Sequence, residues 1–496
     1  MGTWNPHRMA ANQDSVICDM LFNALIRVKP GEFPNLEPEI AKSMPEMSIN
    51  PITGQQQWIF ELREGIMTHP FEGYPNGYEI TSEDIVYSLN RATSPDTSNY
   101  AAMLAGMKVE AMGDYQVVIT LEKAQSSYLF LNKLTDSTRA GYIVPKKAME
   151  ARGEQRFATE PIGTGPFMVD IYKTLDRVEL VAHKNYFRGQ PKIDRIVARY
   201  IPELSTREIG LKTGELDAIE LPRSKDSAER AMAEEGITVD VFGPGSNDIF
   251  MMDISKPPFD NKKLREAVAY AIDRTEYAAY YGAPPTRPSY SVIPELLPGG
   301  LTKEAAAAKG LLYEFDLEKA KSLMIEAGYA DGLNLECFAS PRSTYKPSWE
   351  IIQSQLKRIG INLELKWVDH STYHKMQRAD NNRLALYNCW RDTPDVYYSQ
   401  FWHSDAIVVT GKAPNQNFTH YDKVDAFIEQ ARVELDSDKQ AALWGEANAM
   451  IMEDLAGYAF LFKEYQWARS ENFDWGHPVK AAPALYPQIT ENSFIK

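Results

Sequence analysis

Apolar positions recur along this chain with two different periods, and their succession lays out an architecture. The pattern is clearest between residues 333 and 390. Leu333, Leu335 and Cys337 alternate with polar neighbours, the two-residue period of a strand. Ile352, Leu356 and Ile359 then share one face of a helix that Pro347 opens and Gly360 stops. Ile361, Leu363, Leu365 and Trp367 alternate again as a second strand. The run Leu384-Ala385-Leu386-Tyr387-Asn388-Cys389-Trp390 is almost continuously apolar and predicts a strand buried on both faces. Strand, helix, strand and a further strand form a βαβ unit with an extension, an order that favours parallel pairing.

Helical signals are equally local elsewhere. Thr81 and Asp84 predict a capping box ahead of Ile85-Val86-Tyr87-Ser88-Leu89. Asp260-Asn261 precedes Leu264, Ala267, Val268, Ala271 and Ile272, the spacing of one buried stripe. Asp316 starts a helix through Ala320, Leu323, Met324 and Ala327 that Gly328 ends. Loops rich in Pro and Gly interrupt the pattern at Gly243-Pro244-Gly245, Gly282-Ala283-Pro284-Pro285 and from Pro294 to Gly300. Helices and strands alternate throughout, which predicts an α/β fold. A length of 496 residues predicts more than one domain.

Charge narrows the function. A formal net charge of -15 disfavours nucleic acid or anionic lipid as partner, because either is normally bound by a basic surface. Three cysteines without a CxxC spacing supply no disulfide framework, and the apolar surroundings of Cys337 and Cys389 predict buried free thiols. No apolar run is long enough to span a membrane, and the opening MGTWNPHRMAANQD has no apolar core of a secretory leader. Either the protein is cytosolic or a leader has been removed ahead of Met1.

Ligands of open α/β sheets bind outside the carboxyl ends of the strands. Arg342 follows the strand that ends near Ala339, and Asp392 follows the one that ends near Trp390. A guanidinium there suits a carboxylate and an aspartate suits an ammonium, so together they could grip a zwitterion; each could equally be an ordinary surface charge. Trp390, Tyr397, Tyr398, Phe401 and Trp402 could wall an organic ligand or pack in the core. Asp392 and Asp395 are a weak candidate pair for hydrolysis, and His370 and His374 lack a third metal ligand at suggestive spacing. The chain has no G-x-S-x-G, no P-loop and no Rossmann glycine triplet. A binder without catalytic residues, metal or cofactor is the expectation.

Several segments, in order, resemble the family 5 extracellular solute-binding proteins of dipeptide, oligopeptide and nickel ABC importers. They are Asn5-Pro6-His7, Trp58 to Ile66, Ile80 to Ser88, Pro161-Ile162-Gly163-Thr164-Gly165-Pro166-Phe167, Asn185-Tyr186-Phe187, Lys212 to Asp217, and Pro258 to Arg274. The resemblance implies a two-lobed periplasmic binding protein fold (type II, cluster C) with an extra domain inserted in the first lobe. The core domain of that lobe would comprise residues 1–28, 164–242 and 456–496, the inserted domain 29–163, and the ligand-closing second lobe 243–455. It also implies a periplasmic monomer that closes on a short peptide or related zwitterion and delivers it to an inner-membrane permease. An opine, an oligosaccharide or a metal chelate is the alternative cargo. Dipeptide-binding members hold the ligand carboxylate with an arginine and its amino group with an aspartate. Arg342, in Pro341-Arg342-Ser343-Thr344-Tyr345-Lys346-Pro347, stands at the matching place with one extra residue. Trp390-Arg391-Asp392-Thr393-Pro394-Asp395 matches the aspartate segment with a shorter loop, which leaves Asp392 and Asp395 both open. The expected ligand-binding set is Arg342, Asp392, Trp390, Asp395, Tyr345, Tyr397 and Trp402.

Overall fold

The computed structural model describes residues 3–9, 12–342 and 344–496, so Met1 and Ser343 lie outside the described residues. The chain forms two compact units, one of residues 1–222, 227–243 and 465–496, the other of 223–226 and 244–464.

In the first unit, β1 (Glu46–Ile49), β2 (Gln56–Glu61), β3 (Met107–Ala111) and β4 (Gln116–Leu121) make an antiparallel sheet in the order β1-β2-β4-β3. Side chains of β2 alternate across it, so Trp58 and Phe60 enter the core while Gln57 and Ile59 do not. Helix α1 (Ser82–Thr93) begins with the predicted capping box between Thr81 and Asp84. Its Ile85 and Leu89 are fully buried. A second antiparallel sheet follows, β5 (Phe167–Lys173), β6 (Arg177–Ala182) and β7 (Arg195–Arg199). One hydrophobic cluster runs from Trp4 and Leu21 through Trp58, Ile85 and Val117 to Phe167 and Leu180, so residues 29–163 pack continuously with those on both sides of them.

The second unit holds the region with the clearest sequence pattern. Most of the long strand β8 (Ile237–Met252) belongs to it, followed by α2 (Lys262–Ala271), which Asn261 caps, and α3 (Leu317–Glu326), which Asp316 caps. Leu264, Ala267, Val268 and Ala271 are all buried, as their spacing predicts. Then come β9 (Leu333–Ala339), α4 (Lys346–Lys357), β10 (Ile361–Trp367), α5 (His370–Arg378), β11 (Leu384–Cys389), α6 (Pro394–Phe401), α7 (Asp425–Val433), α8 (Ser437–Glu453) and β12 (Gly457–Ser470). β9 and β10 pair in parallel, from Leu333 opposite Ile361 to Ala339 opposite Trp367. The α4 crossover is packed down by Trp349, Ile352 and Leu356, each fully buried.

The further strand departs from the expected parallel pairing. β11 pairs antiparallel with β8, Asn247 opposite Cys389 through Met252 opposite Leu384. Between β9 and β11 a side chain takes the place of a ladder: Asn382 accepts from Phe338 N (2.8 Å) and donates to Phe338 O (3.0 Å). Local order in the sequence specifies the crossover, whereas the partner of a doubly buried strand is a long-range matter.

Cys18, Cys337 and Cys389 are buried thiols that form no disulfide. Burial pushes the Cys389 thiol up to about 12 and Cys337 higher still, away from the reactive thiolate. The native protein is therefore expected to resist an aromatic disulfide reagent at pH 8, and to release three equivalents of thiol once unfolded.

Candidate functional site

The segment after β9 is set by its own backbone. Ser340 Oγ accepts from Arg342 N (3.3 Å), and Arg342 O accepts from both Tyr345 N and Lys346 N (2.8 Å each), which turns the chain into α4. Arg342 is exposed at this turn. The positive charge of its side chain bears on two histidines of α5. Burial lowers the His370 pKa, with Arg342 adding to the effect. Burial, His370, Arg378 and Arg342 together bring His374 down to about 4. Tyr345 is buried, 5.3 Å from the His370 ring and 5.8 Å from Tyr373, whose hydroxyl donates to Leu386 O of β11 at 2.6 Å. The loop after β9 is thus strapped to β11 through Tyr345 and Tyr373.

The turn after β11 carries Trp390, Arg391 and Asp392 into α6, which Thr393 caps and Pro394 opens. Trp390 is half-buried; its indole Nε1 is buried and has no hydrogen-bond partner among the described residues. Asp392 is half-buried on the same turn. Arg391 holds this turn in shape by donating to Trp390 O (2.7 Å), Gln400 Oε1 (2.7 Å) and Gln416 Oε1 (3.1 Å).

The other expected ligand residues lie differently. Asp395 accepts from Arg432 Nε at 2.7 Å and is committed to α7. Tyr397 is fully buried, with its hydroxyl on Cys389 O (3.3 Å). Trp402 is fully buried, pressed on Gly457 so closely that a Cβ there would come within 2.3 Å of the ring. Tyr397 and Trp402 pack in the interior of the unit. Asp395 and Arg432, 37 residues apart, make a pair that spacing does not reveal.

Beneath the strap lies a polar group that sequence reasoning missed. Asp248 of β8 and Lys463 of β12 form a 2.7 Å ion pair with side chains only 2% and 6% exposed. Asn388 donates to Asp248 Oδ1, Ser348 Oγ lies 3.5 Å from its other oxygen, and the Lys463 ammonium sits 4.1 Å over the Tyr281 ring. An Asp and a Lys 215 positions apart carry no signal of pairing in a single sequence. The group is saturated with partners and offers no activated nucleophile or base.

Among the described residues no helix is long and apolar enough to cross a membrane. A profile of bacterial extracellular solute-binding proteins, family 5 (middle region), matches residues 35–407. The chain is 25% identical over 470 residues to Heme-binding protein A of Haemophilus influenzae, covering 87% of this chain and 79% of that one. It is 24% identical over 422 residues to the Dipeptide-binding protein of Escherichia coli, covering 80% and 76%. Among solved structures, MoaA of A. tumefaciens R10 in complex with mannopinic acid matches with a TM-score of 0.76 and 30% identity, covering 100% of this chain and 97% of that one. The extent of these matches, on motifs that run in the same order, makes this chain a member of the bacterial extracellular solute-binding proteins, family 5.

Proposed function

We propose that this protein captures a short peptide or a related zwitterionic solute, Arg342 taking the carboxylate and Asp392 the amino group. As a family 5 protein it is the solute-binding, non-enzymatic component of an ABC importer, a family that acts outside the cytoplasm with an ABC permease. The observation that carries the ligand reading is the strap. Tyr345 packs the loop of Arg342 on Tyr373, whose hydroxyl holds β11, the strand that leads to Asp392, so a basic and an acidic side chain follow two strands joined by this packing. The half-buried Trp390 supplies a rigid face and an unspent N–H donor beside Asp392. Asp395, held by Arg432, is structural in this reading, and Tyr397 and Trp402 support the turn from below. The protein works as a periplasmic monomer.

A 30% identical neighbour solved with mannopinic acid favours a second cargo, an opine, which also joins a carboxylate to an amine. Both are tested by thermal shift with a dipeptide panel and with mannopinic acid itself, and by native mass spectrometry of the purified protein. A ligand at 100 times its Kd stabilises by about 2.7 kcal/mol, a readily measured shift. Arg342→Ala is expected to abolish the shift while the apo melting temperature stays unchanged. A dipeptide with an amidated carboxyl should lose the same increment in the native protein and nothing further in Arg342→Ala. An undiminished shift in Arg342→Ala would remove Arg342 from the site.

A further inference from the structure

We propose that His370 and His374 chelate a divalent transition-metal ion, forming a metal site separate from solute capture. The two residues stand four apart on α5, which places them on one face a turn apart. This is the spacing at which paired histidines on a helix hold a metal. Their rings turn toward each other, with Nε2 to Nε2 at 3.2 Å and centroids at 4.5 Å. Two nitrogens bound to one ion at about 2.0–2.1 Å stand roughly 2.9–3.4 Å apart for bond angles between square and tetrahedral. The pair therefore already has the bite of a chelate.

The surroundings fix that geometry. Ser340 Oγ lies 2.9 Å from His370 Nδ1, the outer bond that metal-binding histidines use to set tautomer and ring orientation. With Nδ1–H given to Ser340, His370 presents its lone pair at Nε2, and in the metal-free protein His374 supplies the proton between the two rings. Tyr373 and Tyr387 pack on His374 at 5.3 and 5.7 Å, and Tyr345 on His370, which supports the two rings from one side. Both histidines are half-buried rather than sealed, leaving a side open for water or another donor to complete the coordination.

Arg342 and Arg378 oppose a cation here, and Asp369 beside His370 partly offsets them. Two imidazoles with no carboxylate in the pair select nitrogen-seeking ions such as Cu²⁺, Ni²⁺ and Zn²⁺ over Mg²⁺ or Ca²⁺. The other candidate group among the described residues, Asp253, Asp380 and His420, has its carboxylates paired with Arg383 and Lys256, and serves as the control.

The test is calorimetric titration of NiCl₂ and ZnCl₂ into the full chain at pH 7.5, in a buffer that does not bind metal. One equivalent is expected to bind. His370→Gln and His374→Gln should each abolish it without moving the melting temperature of the metal-free protein, and Ser340→Ala should weaken it roughly tenfold. His420→Gln should bind as the native chain does. Arg342→Ala separates the site from solute capture: metal affinity rises as the like charge is removed, whatever becomes of the solute. Binding that survives His374→Gln, that vanishes in His420→Gln, or that is absent from the native chain overturns the proposal.

Discussion

Replacing Lys463 with methionine is expected to destabilise the second unit by about 3–5 kcal/mol, because it leaves the Asp248 carboxylate buried without its counter-charge. Asn388 and Ser348 still donate to that carboxylate, but neither carries charge, and the Tyr281 face that the ammonium covered is left with a void. For a unit of this size the loss corresponds to roughly 10 °C in the midpoint of its unfolding transition. Calorimetry of the full chain measures it, with the transition of the first unit as internal reference. The double variant Asp248→Asn with Lys463→Met removes both charges at once and should recover most of the loss, since two polar donors still find an acceptor amide. If the single and double variants melt together, desolvation of the lone aspartate is not the cause.

A second large effect concerns pH and the first unit. Burial raises Asp19 to about 6, and Glu39 and Asp136 to about 7, around one small cavity that Arg27 and Glu491 also line. Their unfolded values are ordinary, so between about pH 4 and 7 the folded state holds more protons than the unfolded one, and stability falls as pH rises. His7 and His69 act the other way. Burial brings both to about 3, so the unfolded chain takes up their protons first and stability is lost as pH falls below about 6.5. The two trends offset one another between pH 4 and 6.5; above that the histidine contribution fades and the acids dominate. Each pKa unit is worth about 1.4 kcal/mol. Between pH 6 and 8 the acids alone lose about 3 kcal/mol and the two histidines return roughly half of it, so the first unit is expected to lose about 1.5 kcal/mol, read as a falling melting temperature. Asp136→Asn, which keeps an acceptor for Val28 N, should flatten that slope. A slope unchanged by the substitution would place the titrating groups elsewhere.

Features that depend on neighbours in sequence were legible before the fold was known. The cap at Thr81, the stop at Gly360 and the strand-helix-strand of β9, α4 and β10 rest on residues within a turn or two of each other. The same holds for the location of Arg342 and Asp392 just past strand ends. What was not legible joins distant residues. β11 reads as a doubly buried strand, yet nothing in it names β8 as its partner. Asp395 and Asp392 look alike in the sequence, and the pairing of Asp395 with Arg432 of α7 joins positions too far apart for spacing to reveal. Tyr397 and Trp402 have the composition of a ligand wall, and only packing against β11 and Gly457 commits them to the interior. His370 and His374 were visible as a spacing, but the 3.2 Å approach needs the rotamers that Ser340 and the tyrosines impose.

The parallel pair of β9 and β10 is only two strands wide, and on the far side of β10 no strand joins it among the described residues. An open row of backbone donors and acceptors invites another chain to add itself, the usual start of ordered aggregation. Asn362, Glu364 and Lys366 alternate with the buried Ile361 and Leu363 along this edge, and an incoming strand would have to pair against that charge. A chain that meets copies of itself before it has folded is exposed to such pairing, so the placement of Glu364 and Lys366 on this one margin protects solubility rather than stability.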